Sequence, residues 1–507
     1  MKIKKVGANM MSNIVAKLWS MVSIYLFIPL YINILGEAAY GLVSIFATLQ
    51  ATLSLLGLGL ANTLGREFAT GDDGEENRDR KYKLLRSVEL IYLGIGIIIS
   101  LLCIFGSDFI ANDWLNIENL EPVLVSRVIS LMGISIALQL IAHMYSGCLL
   151  GMEHQVLANV FCIVWSALKS IGSLLIIWLI EPNLTYFYGW NVFIDLIYVL
   201  TLRVWIRIKC PSKAKWKISD LSNLKQIWRY TLGILVISFI SLINRQFDKL
   251  IISKYLSLTD VGAYNVANTL GSITAIIPSA IYTTMFPKFT NYATTGKTEI
   301  LQREFIKINK LVNLVLMCMG AYISVYALQL IYVWTGSQVY QSALGMTGAI
   351  VVLAVMFSEI QEIPYALALS NGNTRLNVFV GLIFLPFVLI ITLFSVKFYG
   401  LVGAGVVYLI MMLGQSILYQ VLICKKYVPG KALKVLLLDT LLPFVISFVV
   451  AVLTSLIVAK ITTNALLQSL SAVLFGIITL ALLYLIFIKN RGKTNKEEGE
   501  KVNEQLF

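Results

Sequence analysis

Ser241-Leu-Ile-Asn-Arg-Gln-Phe-Asp-Lys249 lies inside a stretch, residues 230–256, that otherwise reads as one membrane-spanning helix. Arg245, Asp248 and Lys249 therefore sit near bilayer depth. A charge there costs at least about 2.5–3.5 kcal/mol on insertion scales, so such groups face protein or a wet pathway rather than lipid. At 100° per residue, Ser241, Asn244, Arg245, Asp248 and Lys249 share one face, and Leu, Ile and Phe make up the other. A helix with one polar and one apolar side, at this depth, implies a bundle of further spans around it.

The composition agrees. Of 507 residues, 58% are hydrophobic and only 13% charged, with a mean hydropathy of +0.81. A soluble chain carries about 25% charge. The net charge of +13 does not imply nucleic acid, because Lys and Arg collect in the cytoplasmic loops of membrane proteins. Six cysteines without a C-x-x-C pair and two histidines, His143 and His154, argue against a disulfide framework or a metal cluster. The N-terminus, Met1-Lys-Ile-Lys-Lys, runs into an apolar segment with no small-residue cleavage site and reads as an uncleaved first span.

A span needs about 20 apolar residues, and about fourteen such segments can be placed. They are 9–34, 41–63, 87–110, 125–150, 156–180, 186–206, 230–256, 262–286, 309–334, 343–368, 376–397, 401–424, 435–458 and 466–488. Loops 64–86, 207–229, 287–308 and 425–434 are rich in Lys and Arg. The alternate loops at 36–40, 111–124, 181–185 and 257–261 hold acids and no Lys or Arg. This alternation predicts both termini in the cytoplasm.

A repeat underlies the order. At an offset of 221, Leu35 meets Leu256, Gly41 meets Gly262, Thr48-Leu49 meet Thr269-Leu270, and Phe68 meets Phe289. At an offset of 220, Leu149–Gln155 meets Leu369–Arg375. The expectation is an all-α polytopic protein with two six-helix lobes, 1–206 and 230–424, related by a parallel repeat. A basic cytoplasmic linker, 207–229, joins them; two further helices span 435–488, and 489–507 is a charged, disordered tail.

Pro29-Leu-Tyr-Ile-Asn-Ile-Leu-Gly-Glu-Ala-Ala-Tyr-Gly-Leu, Leu56-Gly-Leu-Gly-Leu-Ala-Asn and Arg66-Glu-Phe-Ala resemble the opening of the polysaccharide-transporter family. These are the Wzx-type flippases of the multidrug/oligosaccharidyl-lipid/polysaccharide exporter superfamily. Asp248-Lys-Leu-Ile-Ile-Ser-Lys-Tyr-Leu through Val261-Gly-Ala-Tyr-Asn-Val-Ala resembles the start of that family's second half, and Pro278 with Phe286-Pro-Lys-Phe the end of its eighth helix. The resemblance covers most of the first 425 residues. It implies a bacterial inner-membrane protein with a cavity between two lobes. It also implies movement of an undecaprenyl-diphosphate-linked oligosaccharide to the outer leaflet, with a polymerase and a ligase of the same pathway as partners. Related alternatives are a Na⁺- or H⁺-coupled multidrug exporter and a flippase for the peptidoglycan precursor.

Within that frame the intramembrane charges become candidates. Arg245, Lys249, Lys17 and Lys169 are candidate substrate-binding cations, Arg245 foremost because a guanidinium offers a planar fork of donors to phosphate oxygens. Lys17 alternatively reaches the cytoplasmic headgroups, Lys169 alternatively pairs with Asp195, and Arg127 sits at an outer headgroup level. Asp248, Glu359, Glu362 and Asp195 are candidate charge partners or carriers of a coupling H⁺ or Na⁺. The Arg245–Asp248 pair can also neutralise itself and hold helix seven in place. Four cations face four acids, so a plainly cationic channel does not follow. No Gly-rich phosphate loop, H-E-x-x-H or G-x-S-x-G is present, so neither catalysis nor ATP-driven transport on this chain is expected, and no cofactor is.

Overall fold

The computed structural model describes residues 2–69, 75–117, 120–209, 240 and 243–489. Most of the expected linker 207–229, the first part of span seven and the charged tail lie outside the described residues. The chain forms two compact units, Met1–Gly262 and Ala263–Phe507.

The first unit is built from α1 (Lys2–Leu35), α2 (Glu37–Ala69), α3 (Glu75–Phe109), α4 (Pro122–Gly151), α5 (Gln155–Leu179), α6 (Leu184–Lys209) and α7 (243–255). Its centre is α4, most of whose apolar residues are buried against α2, α3 and α6. Proline at the start of α4 costs no hydrogen bond, since the first turn's N–H groups have no partner inside the helix. α1 lies along α5: Tyr31 Oη donates to the Ser170 carbonyl at 2.9 Å, and Trp19 Nε1 donates to Ser166 Oγ at 2.8 Å. The described part of helix seven groups with this first unit, whereas the sequence places helix seven at the head of the second lobe. Its contacts explain the grouping. Trp114 Nε1 donates to Ser253 Oγ at 3.4 Å, and the Lys254 ammonium lies 4.7 Å from the Trp114 ring centre.

The second unit begins within α8 (Leu258–Gly271), which continues through a 3-10 turn into α9 (Ile276–Thr294). Ser257 and Asp260 cap α8 reciprocally: Ser257 Oγ accepts from the Asp260 N–H at 3.1 Å, and the Ser257 N–H points at Asp260 Oδ2 at 3.3 Å. There follow α10 (Thr298–Val325), α11 (Ala327–Thr335), α12 (Gln338–Leu344), α13 (Met346–Glu359), α14 (Glu362–Ser370) and α15 (Arg375–Tyr427). α16 (Ala432–Leu436) passes through a π-helical turn, Leu437–Leu441, into α17 (Leu442–Ile461), and α18 (Ala465–Tyr484) closes the unit. α10 is its buried axis, packed on α13, α17 and α18.

Both units turn their apolar faces outward as well as inward. Phe105 on α3 is 81% exposed, and Leu470 and Ile477 on α18 are similarly open. Large outward-facing apolar surfaces are strongly unfavourable in water and expected against lipid. Among the described residues ten helices are long and apolar enough to cross a membrane. Fourteen were expected, and the difference has three sources. α2 and α6 are not among the ten, span seven is only partly described, and the spans at 376–397 and 401–424 form one 53-residue helix. That helix is nevertheless broken at Gly400 (φ 59°, ψ −141°), between the two expected spans.

The repeat has a local trace. α4 ends with Glu153 at φ 58° and α14 with Gly372 at φ 69°. In each turn that residue's N–H reaches three residues back, Glu153 to Leu150 and Gly372 to Leu369. The next N–H reaches five back, His154 to Leu149 and Asn373 to Ala368. This is the same glycine-type helix stop, once with a glycine and once without, displaced by one residue from the 220 offset.

Gly400 occupies backbone space that L side chains avoid, at a cost of about 1–3 kcal/mol. Gly400→Val is therefore expected to lower the apparent melting temperature of the detergent-purified protein, whereas Ala404→Val, in the regular helix beyond, serves as the packing control for added volume.

Candidate functional site

Polar groups inside the first unit converge on Asp195 of α6, a side chain with no exposure. Lys169 Nζ of α5 bonds both carboxylate oxygens, at 3.1 and 3.0 Å. Trp165 Nε1, one turn before Lys169, donates to Oδ1 at 3.0 Å. From α4, Gln139 Nε2 donates to Oδ2 at 3.0 Å, and Ser135 Oγ donates to the same oxygen through a short hydrogen bond. The carboxylate thus accepts from an ammonium, an indole, an amide and a hydroxyl. Saturation of this kind offsets the desolvation that would otherwise neutralise a buried acid. Lys169 is boxed further by aromatic faces, 5.3 Å from the Trp165 ring centre and 5.7 Å from that of Phe46. Trp165 stacks on Tyr198 with centroids 4.7 Å apart. Lys169 is thus engaged with Asp195.

The remaining candidates are spread. Lys17 on α1 and Arg245 on α7 are exposed, and Lys249 is half-buried beside the buried Asp248. No ion pair joins Arg245 to Asp248 among the described residues. Asp248 follows Asn244 by one turn on the buried face of α7, and Arg245 points off that face. Glu359 at the end of α13 and Glu362 at the start of α14 are half-buried in the second unit. Arg127 is exposed near the start of α4.

Two charge clusters escape a reading of the sequence alone. Glu89 of α3, 4% exposed, accepts from Tyr145 Oη at 2.6 Å and Arg86 Nη1 at 2.6 Å and is ion-paired with Arg203, whose Nε lies 2.9 Å away. In α10, Lys310 lies 3.8 Å from the buried Asp439. These residues sit a turn or two inside their spans, where sequence alone assigns them to the headgroup level. A usable signal was the i,i+4 pairing of polar groups in apolar helices: Ser135 with Gln139, and Trp165 with Lys169.

A helical fold with apolar outer faces and buried ion pairs between long apolar helices defines a polytopic membrane protein. A family profile described as "Polysaccharide biosynthesis protein" matches residues 4–293, more than half of the chain, and the protein belongs to that family. A putative O-antigen transporter of Shigella flexneri is 24% identical over 395 residues, covering 76% of this chain and 90% of that protein. Among solved structures, the lipid II flippase MurJ in an inward closed conformation superposes with a TM-score of 0.70 at 14% identity, over 94% of this chain and 98% of that one. A MATE-family transporter of the MOP superfamily, outward-facing, gives 0.56 at 15% identity, over 84% of this chain and 95% of that one. These likenesses, at 14 and 15% identity, show a shared fold. The named relatives are transporters and a flippase, and none is an enzyme.

Removing Asp195 strands the Lys169 ammonium in a buried site, at a cost of about 3–5 kcal/mol. Asp195→Leu alone is expected to unfold markedly earlier on heating, and Asp195→Leu with Lys169→Met to recover most of the loss. Additive destabilisation in that double-mutant cycle contradicts the coupling.

Proposed function

We propose that the protein is a flippase of a bacterial cytoplasmic membrane. It moves an undecaprenyl-diphosphate-linked oligosaccharide, the repeat unit of a surface polysaccharide, from the cytoplasmic to the outer leaflet, with both termini cytoplasmic. The observation that carries the reading is the match along 90% of a putative O-antigen transporter. The site chemistry supports it. A lipid diphosphate must bring its charge across about 30 Å of hydrocarbon, and its prenyl tail can stay in lipid.

Arg245 is the proposed first ligand of the diphosphate, because it is a guanidinium exposed on a membrane helix. Lys17 and Lys249 add charge from α1 and α7. Lys169 meets substrate only when its pair with Asp195 opens, so its proposed contribution is conditional on conformation. Sugar recognition has a candidate platform in the second unit. Tyr282 lies nearly parallel to both Tyr365 and Phe286, with centroids 6.2 and 5.7 Å apart, and is within electrostatic range of Glu362. Flat ring faces beside a carboxylate suit the apolar faces and hydroxyls of a glycan. Alternating access is the proposed mode of movement. At the acid-bearing loop ends the backbone packs closely: a Cβ on Gly41 would overlap the carbonyl of Leu258. Asp248, Glu359 and Glu362 are proposed to exchange H⁺ or Na⁺ during the cycle. A polymerase and a ligase of the same pathway are the proposed protein partners.

The multidrug-exporter reading is weaker, because α1 carries Lys17 and no acid to bind a cationic drug or its coupling ion. A peptidoglycan-precursor flippase shares the lipid-diphosphate chemistry and the fold. It is separated from the favoured reading by whether the gene is essential and whether it stands among glycosyltransferase genes.

Arg245→Ala is expected to abolish surface polysaccharide in a strain dependent on this gene, and Arg245→Lys to retain part of it. Normal polymer at a normal level of membrane-inserted Arg245→Ala protein sinks the proposal. Gly41→Val is expected to lower the rate of polymer appearance at unchanged protein level, because it forces Leu258 away.

A further inference from the structure

Arg86 and Arg203 meet on a buried carboxylate that none of the transport chemistry above uses. Arg86 Nη1 donates to Glu89 Oε2 at 2.6 Å, and Arg203 Nε lies 2.9 Å from Glu89 Oε1. Tyr145 Oη donates to that same Oε1 at 2.6 Å. The two guanidiniums therefore stand at one place, on the two oxygens of one group. α3 supplies Arg86 and Glu89, α4 supplies Tyr145, and α6 supplies Arg203. The Glu89 side chain is 5% exposed, whereas those of Arg86 and Arg203 are 27% and 38% exposed. The carboxylate is thus sealed in and both cations reach the surface.

The charges here do not balance. Two guanidiniums share one carboxylate, which leaves the centre positive. Arg203 also has donors to spare. Its Nε is out of line for a hydrogen bond to Glu89 and is buried without a hydrogen-bond partner. Its two terminal nitrogens have no partner among the described residues. Arg86 directs Nε to Tyr82 Oη at 3.3 Å and Nη1 to Glu89, so its Nη2 is left over in the same way. Arg207, exposed, follows Arg203 by one turn on α6 and adds a further cation on that face. Planar forks of unused donors beside a positive centre suit the oxygens of a phosphate group.

The surroundings say which phosphate. The centre lies near the start of α3 and the end of α6, beside the basic loops and at headgroup level. From it two apolar tracks run into the membrane-spanning part. On α3, Leu90, Leu93 and Ile97 follow Arg86 at helical spacing, and on α6, Leu200 and Leu196 precede Arg203 in the same manner. All five are exposed. A cationic centre at the head of exposed apolar tracks matches a phospholipid, with its phosphate at the arginines and its acyl chains along the helices. A zwitterionic headgroup brings its own ammonium, which a positive centre repels, so an anionic headgroup fits better.

We propose that Arg86, Arg203 and Arg207 bind the phosphate of an anionic glycerophospholipid at the basic-loop end of the first unit, with Glu89 and Tyr145 as positioning residues. A lipid held there bridges α3 and α6, both of which pack on α4, and makes the stability of this unit depend on the anionic lipid around it. The site rests on its own geometry, apart from the flippase reading.

The test is native mass spectrometry of the delipidated full-length protein in neutral detergent, titrated with phosphatidylglycerol or phosphatidylcholine. One phosphatidylglycerol is expected to bind about tenfold more tightly than phosphatidylcholine, a difference of about 1.4 kcal/mol. Arg203→Gln should abolish most of that preference, and Arg203→Lys, which keeps the charge without the fork, should lie between. Arg127→Gln, which removes an exposed cation near the start of α4, should leave it unchanged. Phosphatidylglycerol should also raise the melting temperature of the wild type more than phosphatidylcholine does. Equal affinity for the two lipids in the wild type, or a preference unaltered in Arg203→Gln, overturns the proposal. Displacement of the lipid by an equal concentration of soluble glycerol phosphate assigns the centre to free phosphate and overturns it too. Should Arg203→Gln fail to fold, the wild-type ratio and Arg203→Lys decide it. No glycan enters the measurement, so its failure leaves the flippase reading standing, and failure of the polymer assay leaves the lipid site standing.

Discussion

The cost of an unpartnered charge in hydrocarbon governs this protein. A carboxylate or ammonium at bilayer depth must be paired, wetted or drawn to the headgroups. Asp195 meets the demand by pairing: four side chains from α4 and α5 converge on one carboxylate. Glu89 meets it with a tyrosine and two arginines from α3, α4 and α6. Such centres add little net stability against an apolar replacement, but they permit only one register of the helices that supply them. In a membrane, where apolar faces do not distinguish a neighbouring helix from lipid, that selectivity is what locates one span against the next.

The charges outside these centres include the proposed contacts for transport. Arg245 and Lys17 are exposed on α7 and α1. The chain belongs to the polysaccharide biosynthesis family, and the proposed use of these cations and of the aromatic pairs rests on that membership.

The second unit follows a different design. α10 is buried along most of its length, and α17 and α18 attach to it through polar contacts as well as apolar ones. Tyr322 Oη and Thr479 Oγ1 share a hydrogen bond at 2.8 Å, and Lys310 reaches the Phe487 carbonyl. The C-terminal helices are therefore integral to this unit. The π turn at Leu437–Leu441 interrupts the regular helical ladder, and in doing so brings Asp439 and Thr440 onto the face that meets Asn313.

Residue order alone determined the class of the protein: long apolar spans, basic loops alternating with acidic ones, and a repeat that sets Leu149–Gln155 against Leu369–Arg375. These are legible because hydropathy, loop charge and turn chemistry are local properties. The Lys169–Asp195 pairing was among the readings open to the sequence, since few partners exist at that depth. What only the tertiary structure decided is which polar residues meet. Ser135 and Gln139 join Asp195, Arg203 joins Glu89, and Asn313 meets Thr440 across 127 positions. Arg245 is exposed and Asp248 buried although they stand three positions apart on one helix. Helical spacing brings side chains to a face, but the packing of neighbouring helices decides which face is buried and what it touches.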